Sequence, residues 1–323
     1  MRILFIPSGY QRIYDYFDQC IFNGLKKFPG IDVDFFSPLH DFPALQWKCN
    51  QFKPDMVITL LGDHLAKETL KWIKHQSFRS VLWLTEDPYY TDRSIAKIPF
   101  FHTVYSIDRG AVDYYKSLDY KHVHQLSLGT DPEIFAPARR REHETDVCLV
   151  GYPYPDRIRL IMLLLKETPF RIQVIGNKWQ RNLLHKVRNT DFALLNRWVP
   201  PRQAAYFYSR AKIVLNTHRP FDESTNENSA GIKNNSLNNR SFDIAACGSF
   251  QLTGYIKDLP DHFEEQEEIV SFRTDEELMD QLHYYLSNHQ ERQQIADNAR
   301  KKVLDRHTFH HRLEKILFGN TDD

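Results

Sequence analysis

The strongest constraint on the fold of this chain is a regular alternation between short apolar runs and longer polar segments. In the first half, six apolar runs have the length and composition of buried strands. These runs are Arg2–Pro7, Ile31–Phe36, Met56–Leu61, Ser80–Leu84, Thr103–Ile107 and Val123–Leu128. Helices are expected between them, for example at Ile13–Phe28 and Arg109–Leu118. Strands that alternate with helices form parallel sheets through right-handed crossovers, so the pattern predicts a doubly wound α/β domain.

The alternation begins again after a polar, proline-containing stretch at Asp131–Arg141, which we interpret as a linker. The new strand-like runs are Asp146–Val150, Phe170–Ile175, Lys212–Asn216 and Phe250–Leu252. Helices are expected at Leu160–Leu165, Arg240–Ala246, Glu276–Ser287, Glu291–Asp305 and His311–Phe318. We therefore predict two Rossmann-like domains, residues 1–137 and 138–306, and a C-terminal helix in residues 307–323 that crosses back to the first domain. Two such parallel-sheet domains facing a central cleft would bind ligands at the carboxyl ends of their strands.

Composition narrows the classes of function. The 323 residues carry 42 Lys plus Arg and 42 Asp plus Glu, so the net charge of zero gives no footprint for nucleic acid or an anionic membrane. The chain has no GxGxxG, GxxxxGK[ST] or GxSxG motif, which argues against a dinucleotide oxidoreductase, a P-loop NTPase and an α/β-hydrolase. The four cysteines are far apart in the sequence, which fits a reducing compartment. No apolar run is long enough to span a membrane. We expect a cytoplasmic protein without a membrane span.

Glycines and basic residues follow two strands of the second series. Gly151 and Gly176 each end an apolar run, where a glycine lets a ligand approach the backbone. The helix after Gly151 offers free N–H groups for a phosphate. Arg157 at the start of that helix, and Lys178 after Gly176, would add positive charge. The structural alternative is a proline-rich turn with a surface arginine.

A long polar loop at Thr217–Asn239 is a further candidate, because long loops in compact domains are functional or disordered. Its His218, Arg219 and Asn234, with Arg240 just beyond it, suit phosphate and hydroxyl recognition. The next helix carries Asp243 opposite an apolar face. That carboxylate would accept the hydroxyls of a ribose, or would cap the helix.

In the first series, polar residues follow the apolar runs and should line the same cleft. Gly9 lies in the first of these loops. His64, Glu86 and Asp87 lie in later ones and are the candidate general bases for an acceptor hydroxyl. A structural role is the alternative for each of them.

Several segments together resemble known families. The stretches 198–216 (WVPPRQAAYFYSRAKIVLN) and 240–255 (RSFDIAACGSFQLTGY) resemble the donor-binding domain of GT-B glycosyltransferases, and LSLGTDPEIFAP (126–137) resembles their inter-domain linker. The run 267–317, with WLTEDPYYTD (83–92) and VGYPYPDRIRLI (150–161), is similar to the CgeB-like spore-maturation proteins. The resemblance covers nearly the whole chain and implies the GT-B fold.

The resemblance also implies roles for individual residues. Asp243 matches the acidic residue that holds the nucleotide ribose, whereas Asn235 stands where a second acidic residue is usual. The remaining matches hold the donor's sugar and phosphates (Asn234 to Arg240, with Asn239), contact the base (Arg197, Trp198, Val199) or clamp the diphosphate (Arg157, with Lys178 and Arg219). No catalytic metal and no further cofactor is implied.

These observations predict a glycosyltransferase that uses a nucleotide-diphosphate sugar, with a UDP-sugar favoured. The acceptor is open among a glycan, a small molecule and a protein. One alternative is a non-catalytic, spore-coat-associated protein that kept the fold, and Asn235 is its best support. Another is a phage-type nucleic-acid glycosyltransferase, against which the neutral charge argues.

Overall fold

The computed structural model of the protein describes residues 1–138, 143–179 and 191–319. The chain divides into two units. The first comprises residues 1–129, 221–236 and 309–323, and the second comprises residues 130–220 and 237–308. The domain limits expected from the sequence stay predictions, and the units differ from them in the loop segment 221–236, which belongs to the first unit.

The first unit is built on a six-stranded parallel sheet in the order β2-β1-β3-β4-β5-β6. Its strands are β1 (Arg2–Ile6), β2 (Asp32–Phe35), β3 (Met56–Leu60), β4 (Arg79–Leu84), β5 (Thr103–Ser106) and β6 (Val123–Gln125). Its helices are α1 (Ile13–Leu25), α2 (Phe42–Phe52), α3 (Lys67–Lys74), α4 (Thr91–Ile95), α5 (Arg109–Ser117) and the C-terminal α12 (Phe309–Phe318). The central strands are almost fully buried, as parallel strands covered on both faces must be.

The second unit repeats this architecture with the order β12-β11-β10-β7-β8-β9. Its strands are β7 (Thr145–Val150), β8 (Ile172–Ile175), β9 (Phe192–Leu195), β10 (Ala211–Asn216), β11 (Gln251–Gly254) and β12 (Val270–Phe272). Its helices are α6 (Pro155–Glu167), α7 (Pro201–Ser209), α8 (Arg240–Ala246), α9 (Leu259–His262), α10 (Asp275–Ser287) and α11 (His289–Arg306). The predicted doubly wound α/β fold is thus confirmed in both units. The strands at the middle of the sheet, β7 and β10, bring the loops that begin at Gly151 and Thr217 to one edge.

The segment Phe221–Ser236 leaves the second unit after β10 and packs within the first. There the backbone N–H groups of Asn235 and Ser236 donate to the carboxylate of Asp108 (2.8 and 3.1 Å). One residue later, Leu237 is again part of the second unit, and its N–H donates to Asp258 (2.8 Å). The long polar loop is therefore an ordered segment held by carboxylates at its C-terminal end.

Element boundaries depart from the sequence predictions mainly where the signal is short. Helix α1 ends at Leu25, before its predicted end at Phe28, and α12 begins at Phe309 instead of His311. Strands β9 and β12 carry only a few apolar residues, and the sequence pattern missed both. The arginines of the predicted linker, Arg139–Arg141, lie outside the described residues.

Candidate functional site

Two glycines pack the loops at the ends of β7 and β8 against each other. A Cβ added to Gly176 would lie 2.0 Å from the carbonyl oxygen of Gly151. The indole N–H of Trp179, which is fully buried, donates to that same oxygen (2.7 Å). Both glycines were predicted to let a ligand approach the backbone. In the structure, Gly176 lets one loop approach the other, and the ligand contact stays a prediction.

Arg157, predicted as a diphosphate clamp, is only 3% exposed. Its guanidinium donates to the hydroxyl and the carbonyl of Thr217 (2.8 and 2.7 Å) and to the carbonyl of Tyr152 (3.0 Å). These bonds tie the first turn of α6 to the loop that follows β10. Arg157 therefore sets the geometry of the strand-end loops.

Three further cations surround the loop Gly151–Tyr154. The ammonium of Lys178 lies 5.5 Å from the centroid of the Tyr152 ring, and the guanidinium of Arg219 lies 5.6 Å from that of Tyr154. A Cβ on Gly151 would be 3.5 Å from an Nη atom of Arg240. The structure thus brings together Lys178, Arg219 and Arg240 at this loop, to which the buried Arg157 is bonded through the Tyr152 carbonyl. We call these four residues and this loop the basic loop cluster.

A network of neutral polar groups supports the basic loop cluster. Arg240 donates to the side-chain oxygen of Asn216 (3.1 Å), and this oxygen also accepts from Asn238 (3.3 Å). Asn238 is 3.1 Å from Nδ1 of His218, whose Nε2 is 3.0 Å from the Gly254 carbonyl. Burial lowers the pKa of His218 to about 4, so the ring is neutral at pH 7. His218 is accordingly a neutral hydrogen-bonding link at neutral pH.

Asp243 is buried in α8 with a relative exposure of 4%. Its carboxyl accepts from the Thr130 hydroxyl (2.7 Å) and from the Asn239 amide (3.0 Å). Burial raises the pKa of Asp243 to about 8, although the bond from Thr130 opposes that rise. A ribose would have to displace these partners before both oxygens could accept its hydroxyls.

The predicted base-contacting segment leads into α7. Arg197 is exposed and donates to the side chain of Gln203 (3.3 Å). Trp198 is partly buried, and Val199 is buried. The segment belongs to the second unit, at the carboxyl end of β9.

The first unit contains a cavity of about 380 Å³ at the ends of β1, β3 and β4. Tyrosines and ionisable residues line most of it: Tyr10, Tyr14, Asp63, Glu86, Tyr90 and Arg93. The Tyr14 hydroxyl donates to Glu86 (2.5 Å), and the Tyr10 hydroxyl donates to Asp63 (3.2 Å). Burial, with the nearby charge of Glu86, raises the pKa of Tyr14 well above its ordinary value, so this hydroxyl remains a donor.

The three predicted bases lie in different surroundings. Glu86 lines the cavity, whereas Asp87 is 1% exposed and accepts from the hydroxyls of Ser94, Ser106 and Tyr115 (2.7, 2.8 and 3.2 Å). Burial raises the pKa of Asp87. His64 is exposed, and its ring lies 4.7 Å from that of Tyr10. Of the three, Glu86 is the residue that the structure places in a cavity wall.

Three predicted nucleotide-sugar residues belong to the first unit. Gly9 turns the chain at the end of β1 with φ of 78°, and a Cβ there would lie 2.6 Å from the His64 ring. Asn234 and Asn235 lie at the end of the segment 221–236, where the Asn235 backbone is held by Asp108. They therefore belong to the first unit, whereas Asp243 belongs to the second.

Sequence reasoning did not identify Tyr14 or Tyr90 of the cavity as site residues. Tyr14 lies in the first turn of α1, whereas Tyr10 lies in the loop before that helix, so helical spacing does not link the two rings. Among the described residues, no group of three His, Cys, Asp or Glu side chains could hold a metal ion. Within the same residues, no helix is long and apolar enough to cross a membrane.

Comparison with known proteins agrees with this architecture. Residues 133–317 match the family described as glycosyl transferase-like. The spore protein CgeB of Bacillus subtilis (strain 168) is 33% identical over 315 residues, which cover 96% of this chain and 95% of that protein.

Solved structures share the whole fold at low sequence identity. Sucrose-phosphate synthase from Thermosynechococcus elongatus superposes with a TM-score of 0.72 at 10% identity, over 98% of this chain and 97% of that one. Anabaena HepE, solved in complex with UDP and glucose, gives 0.66 at 11% identity, over 98% of both chains. These matches confirm the predicted GT-B fold. The chain belongs to the glycosyl transferase-like family that includes the spore protein CgeB.

Proposed function

We propose that the protein transfers a sugar from a nucleotide-diphosphate sugar, of which a UDP-sugar is the best candidate, to a hydroxyl-bearing acceptor. The observation that carries this proposal is the basic loop cluster at the carboxyl ends of β7 and β10. It gathers Lys178, Arg219 and Arg240 around a glycine-containing loop that leads into α6. Cations beside the start of a long helix are suited to a diphosphate.

The proposed chemistry follows from where charge develops during transfer. As the bond between the sugar and the diphosphate breaks, negative charge accumulates on the leaving oxygens. Lys178, Arg219 and Arg240 would stabilise that charge, while Arg157 holds the loops in place. Such a site needs no metal ion, and the proposal predicts that a chelator leaves the activity unchanged.

We assign the remaining donor contacts by the same proposal. Arg197, Trp198 and Val199 would contact the base, and His218 and Asn239 would support the sugar and phosphates. Gly151 and Gly176 shape the loop, and Asp243 remains the candidate for the ribose. The match of the whole fold to HepE, whose structure holds UDP, supports the choice of a uridine nucleotide.

In the first unit we propose Glu86 as the general base for a reaction that inverts the anomeric carbon. Its carboxylate lines a cavity, and a tyrosine hydroxyl orients it. Asp87, bonded to three hydroxyls, would hold the surrounding loop, and His64 would contribute at the rim beside Gly9. Asn234 and Asn235 would affect the reaction only indirectly, by the way the segment 221–236 is held.

The proposal also includes a cytoplasmic location, because Cys20, Cys49, Cys148 and Cys247 are all buried and none of them forms a disulfide. The alternative of a non-catalytic protein is favoured by one observation. Arg157, expected to bind the diphosphate, has its donors bonded to protein oxygens. A binding experiment separates the two functions.

The experiment is calorimetry with UDP-, GDP-, ADP- and dTDP-sugars, followed by a hydrolysis assay on any nucleotide sugar that binds. We expect a UDP-sugar to bind with micromolar to millimolar affinity and to be hydrolysed slowly without an acceptor. Binding without hydrolysis or transfer would favour the non-catalytic alternative. If none of the four classes binds, the proposed function is wrong.

A further inference from the structure

A small cavity lies in the second unit at the amino ends of β10 and β11. It leaves about 20 Å³ for the centre of a water-sized molecule, so it holds a guest about as large as one or two water molecules. All its lining residues belong to the second unit, and the exposed His143 among them gives it an opening to solvent. The basic loop cluster lies at the carboxyl end of β10, six residues further along that strand. The cavity is therefore separate from the proposed donor site.

Arg292 is a buried cation in the wall of this cavity, with a relative exposure of 6%. Its Nη1 donates to the carbonyls of Tyr285 and Leu286 at the end of α10. Within the part of the chain that the structure describes, its Nε and Nη2 have no hydrogen-bond partner and Arg292 forms no ion pair. A buried guanidinium without a negative partner costs free energy, which an anion in the cavity would offset.

The groups around Arg292 leave its charge uncompensated. Burial lowers the pKa of Arg292, although the charge of Asp146 opposes that fall. The Asp146 carboxylate is already bonded to Lys212 (2.7 Å) and to the N–H of Arg171 (2.9 Å). Burial also raises the pKa of the Cys247 thiol in the cavity wall, so this group stays uncharged. Among the described residues of the wall, one positive charge is left over, which suits a monovalent anion.

Ser249 adds a hydroxyl to the same wall. Its relative exposure is 6%, and its buried Oγ has no hydrogen-bond partner among the described residues. Buried hydroxyls are normally bonded, so an unpaired one indicates a partner that the protein itself does not supply. A single guest that accepts from both Ser249 and Arg292 would satisfy the two groups together.

The place of Arg292 in its helix favours the same kind of guest. Arg292 is the fourth residue of the 18-residue helix α11, near the positive end of the helix dipole. A cation at that end is unfavourable, whereas an anion there is stabilised. Size narrows the choice further, because the cavity is too small for a phosphate ester but accepts a halide ion, which is only slightly larger than a water molecule.

We propose that this cavity binds a chloride ion, held by the guanidinium of Arg292 and the hydroxyl of Ser249. The ion would join the start of α11 to the amino ends of β10 and β11, and so stabilise the second unit. Chloride binding here does not depend on the proposed glycosyl transfer and can be tested without a nucleotide.

The test is thermal unfolding of the full chain in sodium chloride and in sodium gluconate at equal concentrations. Gluconate is too large for the cavity and reports the general effect of salt. At a chloride concentration about tenfold above the dissociation constant, we expect chloride to raise the unfolding temperature by about 2–4 °C more than gluconate does. Equal unfolding temperatures in the two salts would mean that the cavity holds only water, and would overturn the proposal.

Variants assign the effect to the cavity. Arg292→Met removes the buried charge and should abolish the difference between chloride and gluconate. Arg300→Met is the matched control, because Arg300 lies on the same helix and donates to the Ala246 carbonyl (3.2 Å) but is not part of the cavity wall. This control should keep the full difference. A chloride effect that survives in Arg292→Met, or that disappears in Arg300→Met, would overturn the proposal.

Ser249→Asp keeps the test decisive if Arg292→Met does not fold. The new carboxylate would take the place of the ion beside Arg292, so chloride should no longer raise the unfolding temperature above that in gluconate. An undiminished chloride effect in Ser249→Asp would contradict the proposed site.

A crystal grown in sodium bromide locates the ion directly, because bromide scatters anomalously. We expect an anomalous peak within hydrogen-bond distance of the Arg292 guanidinium and of Ser249 Oγ. Ordered water at that place, without an anomalous peak, would overturn the proposal.

Discussion

The two units share one architecture and differ in chemistry at the same place. Each has a six-stranded parallel sheet whose central strands end in loops that carry polar side chains. In the first unit these loops form a tyrosine-lined cavity with balanced charges, whereas in the second they gather arginines and a lysine. The sheet thus supplies an edge, and the residues of the loops decide which ligand that edge suits.

Glycine has a different function at the two edges. Gly9 turns the chain with a positive φ, and its close neighbour is the movable side chain of His64. Gly176 allows direct contact with the Gly151 backbone and so joins two loops of the second unit. At these two glycines, the closer and less movable contact is therefore the one in the second unit.

The largest expected effect comes from Gly176→Ala. The added methyl would overlap the Gly151 carbonyl, which cannot move away without breaking its bond from Trp179. We expect a loss of about 4 kcal/mol in the free energy of unfolding, measured by urea denaturation. Gly9→Ala, with a movable neighbour, should cost only about 1–2 kcal/mol. Equal losses would contradict the difference in packing.

Arg157→Leu tests whether this buried arginine holds the loops. It removes the guanidinium bonds to Thr217 and Tyr152. The Thr217 carbonyl then keeps only a 3.4 Å bond from Asn238, and the Thr217 hydroxyl loses its guanidinium donor. The free energy of unfolding should fall by about 3 kcal/mol. The control is Arg159→Leu on the same helix, whose half-exposed ion pair with Asp275 contributes less than about 1 kcal/mol. If Arg157→Leu lowers the free energy of unfolding only slightly, the result would favour a ligand-binding role for Arg157.

A lower pH should destabilise the second unit, because unfolding lets His218 take up a proton. Its pKa is about 4 in the folded protein, below the ordinary value of 6.5, so the unfolded chain binds a proton that the folded chain does not. Stability should therefore fall by about 1–3 kcal/mol as the pH decreases from 6.5 to 4. His218→Gln should flatten the pH profile of thermal unfolding in that window. A profile that keeps its slope would mean that another group titrates.

Asp243→Asn should have the smallest effect on ligand binding. The folded carboxyl has a pKa of about 8 and is protonated at pH 7, which an amide mimics. Because the carboxyl ionises at a lower pH in the unfolded chain than in the folded one, the free energy of unfolding should fall as the pH rises toward 8. Asp243→Asn should remove this fall. UDP affinity should change by less than about threefold. A tenfold loss of affinity would instead show that the ribose contact requires an ionised carboxylate at Asp243.

Much of the fold could be predicted because both sheets have central strands with uninterrupted apolar runs. The runs MVITLL and SVLWL coincide with β3 and β4 to within a residue. Strands β9 and β12 lie at the opposite edges of the second sheet and are short, so they leave little signal in the sequence.

Site chemistry was harder to predict because residue type does not reveal partners. Arg157 has the composition of a phosphate ligand, but its bonds to Thr217, sixty positions away in the chain, depend on the fold. Similarly, Asp87 follows an apolar strand just as Glu86 does, and only burial distinguishes them. The loop ends could be located from the pattern, whereas the direction of each side chain could not.

The central claim is that the basic loop cluster binds the diphosphate of the donor. The most direct measurement is calorimetric titration of UDP into the wild-type, Arg240→Gln and Arg159→Gln proteins. We predict that Arg240→Gln weakens UDP binding at least about tenfold, with little change in thermal stability. Arg159→Gln is the control, because Arg159 forms an ion pair with Asp275 and is not part of the cluster. This variant should bind UDP as the wild type does. Equal UDP affinity in all three proteins would contradict the claim.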